Sequence, residues 1–173
     1  GGLNTMRFTE ECLEVNPLII GKARIKQLEL NLQMYYTGIN RFASEILKEQ
    51  IQKTQEKKIM TELKDIHEMV ARGIQILTDE TQALDAFGTL MHEAWMAKRS
   101  LSNAISNSFL DDIYERALGA GALGGKLLGA GGGGFFVFYV PASRHEEVSK
   151  ALSDLHKIDF QFEQGGSRII HVS

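Results

Sequence analysis

The sequence predicts an α+β fold, an antiparallel sheet covered by helices. Three observations carry that prediction. The hydrophobic period moves from about two to about 3.6 and back again along the chain. Strand signals lie at both ends, with several helical stripes between them. The last residues form two short extended runs around a glycine pair, the pattern of a hairpin. Strands and helices that fail to alternate regularly favour α+β over a doubly wound parallel sheet.

The first 20 residues read as a hairpin, "LNTMRFTE" and "ECLEVNPLII" around a polar turn, with Pro17 ending or bending the second strand. "LELNLQMYYTGI" follows, its Leu28, Leu30, Leu32 and Met34 alternating with polar residues as in a half-buried strand. From Asn40, a candidate cap, the period lengthens: Phe42, Ala43, Ile46, Leu47 and Ile51 share a helical face. Ile59, Leu63, Ile66, Met69, Val70, Ile74 and Leu77 form a second stripe. Asp79 with Gln82 resembles a capping box opening a helix that carries Leu84, Phe87, Met91, Trp95 and Leu101. Ser108 with Asp111 marks the start of "FLDDIYERAL", a helix that Gly119 can end in a left-handed conformation. "FFVFYV" is a buried strand, Ser143 with Glu146 caps one more helix, and "KIDFQFE", "GG" and "SRIIHVS" make the terminal hairpin.

Residues 119–134, "GAGALGGKLLGAGGGG", hold nine of the 17 glycines. A glycine in ordered structure costs about 0.5–1 kcal/mol relative to alanine, so a disordered linker is the cheaper reading. Leu123, Leu127 and Leu128, and the apolar strand that follows, do not suit a solvated linker. Gly119, Gly121 and Gly124 match G-x-G-x-x-G, but that fingerprint needs a strand before it and a helix after it. The order here is helix, loop, strand. The Walker A pattern fails as well, because Ala120 stands where its first glycine belongs and Leu127 follows Lys126. Two readings remain. Consecutive glycines let backbone N–H groups converge on an anion, with Lys126 adding a point charge; or they let backbone pack closely against a neighbouring element.

Composition excludes several classes. A net charge of −3 without a Lys/Arg block gives no field for nucleic acid or an anionic membrane. No run of about 18 apolar residues predicts a membrane span, and the first residues lack the regions of a signal peptide. Cys12 is the only cysteine, so no disulfide can form within the chain and a cytoplasmic setting is expected. It has no partner base in its strand and is expected to be inert. The five histidines show no i, i+4 pair and have no thiol beside them, which argues against zinc.

"GGKLLGAGGGGFFVFYVP" resembles the third conserved motif of the GHMP superfamily of small-molecule kinases. "YYTGINRFASEILKEQI", "LMHEAWMAKRSLSNAISN" and "GSRII" resemble its branch of D-glycero-D-manno-heptose 7-phosphate kinases. The resemblance implies a ferredoxin-like C-terminal domain over residues 21–173, with residues 1–20 as strands belonging to an absent N-terminal domain. It implies ATP and Mg2+ as cofactors, a sugar phosphate as substrate, and phosphorylation at the anomeric hydroxyl. Gly129, Ala130, Gly131, Gly132, Gly133 and Gly134, with Lys126, would then face the nucleotide phosphates. Arg41 and Lys98 are the candidates for the sugar phosphate, since arginine suits bidentate phosphate contacts. Trp95 falls on the apolar stripe of its helix and is expected in the core rather than against a sugar.

The family's N-terminal Gly/Ser loop, of the P-x-x-x-G-L-x-S-S type, has no counterpart among these residues, which contain no Ser-Ser doublet. No catalytic residue is therefore assigned to this chain, and alone it is expected to be inactive. Leu128 stands where many members carry Ser or Thr before GAGGGG, which removes a hydroxyl from that point. The alternatives are a non-catalytic ferredoxin-like binding module, a kinase of the same family acting on another sugar, and a decarboxylase of the same superfamily. The heptose-branch motifs argue against the last.

Overall fold

In the run Phe135–Tyr139, "FFVFY", every residue after the exposed Phe135 is buried, on both faces of a sheet, and this placement explains why the run does not alternate. Phe136 and Phe138 point into one cluster, with Tyr35, Trp95, Ile113, Tyr114 and Leu127. Val137 and Tyr139 point into the other, with Leu28, Leu77, Leu84 and Met91. The computed structural model describes residues 1–39, 51–54, 59–166 and 169.

The elements, in chain order, are β1 (Asn4–Phe8), β2 (Leu13–Pro17), α1 (Lys22–Asn31), β3 (Leu32–Tyr36), α2 (Met60–Thr78), α3 (Asp85–Ser100), α4 (Ser108–Gly119), β4 (Gly124–Leu127), β5 (Phe135–Tyr139), a 3-10 turn (Ala142–Arg144), α5 (His145–Ala151) and β6 (His156–Ile158). Strands β4-β5-β3-β6 form one antiparallel sheet, and β1 with β2 a separate hairpin. The expected α+β class with an antiparallel sheet is what forms. The register Leu32↔Tyr139 to Tyr36↔Phe135 places the end of β3 beside the start of β5, at the mouth of the glycine loop.

Several local expectations are corrected. Leu28 and Leu30 belong to α1, not to a strand: Leu28 is buried while Leu30 is 57% exposed, and β3 begins only at Leu32. The helical turn carries Arg24 inward, where its guanidinium donates to the carbonyls of Ile76, Leu77 and Gln82 and so satisfies the end of α2 and the turn after it. Asp79 does organise that turn, accepting from Thr81 N, Thr81 Oγ1 and Gln82 Nε2, but α3 starts later, at Asp85. Asn107, not Ser108, caps α4, its Oδ1 accepting from Phe109 N and Leu110 N at 3.1 Å each. Gly121 (φ +111°), not Gly119, takes the left-handed conformation after α4. No side chain caps α5, so Ser143 does not have that role.

The segment 119–134, expected as one loop, contains a strand. β4 pairs with β5 from Gly124↔Tyr139 to Leu127↔Phe136, and only residues 128–134 form the connection. Two glycines start the strand because α3 passes closely over Gly124 and the Phe138 ring of β5 fills the space at Gly125. A Cβ on Gly124 would lie 2.1 Å from the Gly88 carbonyl oxygen and 2.6 Å from His92 N. Of the expected terminal hairpin, β6 pairs with β3, while residues 167, 168 and 170–173 lie outside the described residues, as does the Asn40 cap.

Candidate functional site

The β4–β5 connection is pinned from two sides. Gly132 N donates to the Ile105 carbonyl at 2.9 Å, and Gly134 N to the Ile39 carbonyl at 2.8 Å. Thr37 closes the second contact: its backbone N and its Oγ1 both donate to the Gly134 carbonyl at 2.9 Å, and Oγ1 accepts from Gly134 N at 3.1 Å. A Cβ on Gly131 would meet Ile105 Cα at 2.8 Å, and one on Gly133 would meet the Ile39 carbonyl oxygen at 2.7 Å. Close packing of backbone, one of the two readings of this glycine run, is therefore realised at Gly124, Gly131 and Gly133.

The other reading survives in part. The amides of Gly132 and Gly134 are engaged inward and cannot face an anion at the same time. Among the described residues, those of Gly129, Ala130, Gly131 and Gly133 make no hydrogen bond. Gly129 (φ +84°), Gly131 (φ +123°) and Gly132 (φ +75°) hold the turn in conformations that L side chains avoid. The unbonded amides suit an anion with several oxygens, such as a polyphosphate.

Lysine reaches the loop from α3. Lys98 Nζ donates to the Gly129 carbonyl at 2.6 Å. Burial pushes its ammonium down to about 8, and the nearby charge of Lys126 adds to the effect. Lys126 is exposed on β4, the edge strand of the sheet. Neither lysine has a carboxylate partner among the described residues, whereas the neighbouring Arg99 is paired with Asp111 at 2.8 Å. The structure thus brings Lys98 to the loop at Gly129, while Lys126 stands on β4, the strand that leads into it. Arg41 lies outside the described residues.

The site also uses residues that pattern reading passed over. Thr37 follows β3 just before Gly38 (φ +75°), and the Thr-Gly pair after an alternating strand is the one local sign that a side chain was needed there. The Ile105 and Ile39 carbonyls are backbone groups and leave no mark in sequence. Behind β4, Trp95 is 1% exposed and packs edge-on against Phe136, so it is core as expected. His92 Nδ1 lies 3.0 Å from the Tyr114 hydroxyl, which burial pushes up to about 12. Among the described residues no cluster of His, Cys, Asp or Glu could hold a metal ion, and no helix is long and apolar enough to cross a membrane.

Fold and site together define an α+β domain whose sheet presents a glycine loop with unbonded backbone amides beside a lysine. Residues 76–160 match the model of the GHMP kinases' C-terminal family. The chain carries a GHMP kinase C-terminal domain. It is 33% identical over 172 residues to D-glycero-alpha-D-manno-heptose 7-phosphate kinase of Campylobacter jejuni, covering 96% of this chain and 49% of that one. It is 29% identical over 150 residues to a bifunctional fucokinase/GDP-fucose pyrophosphorylase of Arabidopsis thaliana, covering 85% of this chain and 14% of that protein. The chain thus spans half or less of the curated relatives it matches. The crystal structure of mevalonate kinase from L. major, in complex with R-mevalonate, superposes with a TM-score of 0.70 at 22% identity, over 89% of this chain and 45% of that one. That likeness concerns the fold.

Proposed function

We propose that this chain is the C-terminal part of an ATP-dependent sugar kinase, and that its acceptor is D-glycero-D-manno-heptose 7-phosphate, phosphorylated at the anomeric hydroxyl. The observation that carries the proposal is the glycine loop, with unbonded amides at Gly129, Ala130, Gly131 and Gly133 beside Lys98. In the reaction the acceptor oxygen forms a bond to the γ-phosphorus, the bond to the β,γ-bridging oxygen breaks, and ADP leaves with that electron pair. The proton of the acceptor hydroxyl goes to a base outside this chain. Such chemistry depends on positioning and charge stabilisation. This domain's part is to hold phosphate oxygens with fixed backbone donors that need not reorganise. The described residues offer no carboxylate cluster for Mg2+, so no step is assigned to that ion here.

The hairpin supports a missing partner. Met6 pairs with Val15 and Phe8 with Leu13, so all four side chains share one face, and they are 60%, 49%, 76% and 54% exposed. A sheet face this apolar is ordinarily buried against another layer. Residues 1–20 are assigned on that ground to the sheet of an N-terminal domain of the same enzyme, with residues 21–173 as the C-terminal domain.

The test joins the chain to its N-terminal half and measures ADP release with a panel of phosphorylated and free sugars. Turnover is expected with the heptose 7-phosphate and none with the 173-residue chain alone. Turnover by the isolated chain refutes the half-site reading. A two-domain protein that phosphorylates only fucose or galactose keeps the kinase and removes the heptose.

A further inference from the structure

A cavity of about 180 Å3 opens where α3 gives way to α4, and every residue lining it is polar: Arg99, Ser102, Asn103, Ser106 and Asp111. The same stretch of chain straps the glycine turn. Lys98, one residue before Arg99, donates to the Gly129 carbonyl at 2.6 Å. The carbonyl of Ile105, one residue before Ser106, accepts from Gly132 N at 2.9 Å. The residues that line the cavity are thus chain neighbours of the two that hold the turn.

Its walls are set by the chain itself. Ser102 Oγ accepts from Ala104 N at 3.1 Å, and the Ser102 carbonyl accepts from Ile105 N at 3.2 Å. Ser106 Oγ donates to Asp111 Oδ1 at 2.6 Å, and Arg99 Nη2 meets the same oxygen at 2.8 Å. These contacts use only part of what the side chains offer. Among the described residues, Asp111 Oδ2, the rest of the Arg99 guanidinium, the Asn103 amide group and the O–H of Ser102 have no partner. Ser102 is 1% exposed, and a buried hydroxyl without an acceptor is a group that a ligand can satisfy.

Charge selects the ligand. Arg99 and Asp111 cancel, and the spare carboxylate oxygen can only accept. A phosphate brought here would face that carboxylate. A sugar hydroxyl can donate to it and accept from the guanidinium or the Asn103 amide at the same time. A few convergent donors and acceptors around a neutral pair suit the adjacent hydroxyls of a polyol.

We propose that this cavity binds hydroxyl groups of the sugar acceptor, with Asp111 accepting, Arg99 and Ser102 donating, and Asn103 doing both. The proposal rests on the sugar-kinase reading and adds to it the residues that recognise the uncharged part of the sugar. It seats the acceptor beside the glycine turn and makes Asn103 and Asp111 determinants of which sugar is taken.

The experiment uses the chain joined to its N-terminal half. The asparagine side-chain amides are followed by NMR as D-mannose or inorganic phosphate is added, and KM is measured for the sugar turned over and for ATP. Mannose is expected to shift the Asn103 amide, and phosphate to leave it in place. Asn103→Ala removes a side chain with no hydrogen bond to lose among the described residues. It should raise the sugar KM about fivefold, and Asp111→Asn about tenfold, with KM for ATP unchanged. An Asp111 that serves only to brace the turn would move KM for ATP and Tm instead. An Asn103 signal that ignores mannose, or that answers to phosphate in its place, overturns the proposal, as does an unchanged sugar KM in Asn103→Ala. If the joined protein phosphorylates no sugar while mannose still shifts Asn103, the kinase reading falls and the sugar site stands. If it is an active kinase whose Asn103 ignores mannose, this inference alone falls.

Discussion

Replacing Gly131 by alanine tests whether the glycine turn is clamped to the segment between α3 and α4. The new Cβ would lie 2.8 Å from Ile105 Cα and 2.9 Å from the Ile105 carbonyl oxygen, backbone atoms that cannot rotate away. Crowding of this kind costs about 1–3 kcal/mol. Its φ of +123° adds strain for any L side chain, again about 1–3 kcal/mol. The lost freedom of the unfolded chain works the other way by about 0.4–1 kcal/mol. Taken at their midpoints these give a net loss of about 3 kcal/mol. Gly129→Ala is the control: its φ is +84°, but nothing lies within 4 Å of the added carbon. Strain less the unfolded-state gain leaves about 1 kcal/mol there. The gap of about 2 kcal/mol corresponds to about 4–8 °C in Tm for a chain of this size. Thermal and urea denaturation of the two variants measure it. Equal losses, or a larger one for Gly129→Ala, refute the clamp.

Lys98 makes stability depend on pH. Its folded proton affinity is lowered to about 8 from an ordinary 10.5, so between those values the unfolded chain binds more protons and stability rises with pH. The urea midpoint of the native chain should therefore climb from pH 8 to about 9.5, short of the tyrosine range, and Lys98→Met should lose that climb. Arg24→Met leaves the carbonyls of Ile76, Leu77 and Gln82 without their donor. A loss of about 3–5 kcal/mol is expected by denaturation, and a loss under 1 kcal/mol would show that water replaces the guanidinium. Tyr139→Phe removes the hydroxyl that accepts from Asn31 and donates to Asp85. It should destabilise by about 1–3 kcal/mol, and an unchanged midpoint would mean the network adds nothing. Met6→Ser with Phe8→Ser should change the chain's own stability by less than about 0.5 kcal/mol, yet abolish co-purification with the N-terminal half.

What could be read in advance divides along physical lines. The run Phe135–Tyr139 and the stripe of α2 declared themselves because burial on two faces or on one stripe leaves a periodic trace. α1 did not, since Leu28, Leu30 and Leu32 happen to alternate; what decides for helix is the inward reach of Arg24, a tertiary demand. β4 was hidden because "GGKL" has poor strand propensity, and its glycines answer to other elements, Gly124 to the Gly88 carbonyl and Gly125 to the Phe138 ring. The loop was legible as a site but not in its orientation: only the Ile105 and Ile39 carbonyls show that Gly132 and Gly134 face inward. Lys98 was a candidate by residue type, and its bond to Gly129 needed the structure.

The strand order β4-β5-β3-β6 has a consequence for how the chain is made. β3 lies between two strands that both come later, and Leu32 must wait for Tyr139, about a hundred residues on, to find its partner. The helices, whose contacts are local, can form while β3 still has both edges unpaired. The glycine turn can be strapped down only when residues 37–39, residue 105 and β5 have all arrived. It is thus among the last parts of the domain to take shape during synthesis. A chain released before β5 emerges would carry a bare strand edge and no site at all.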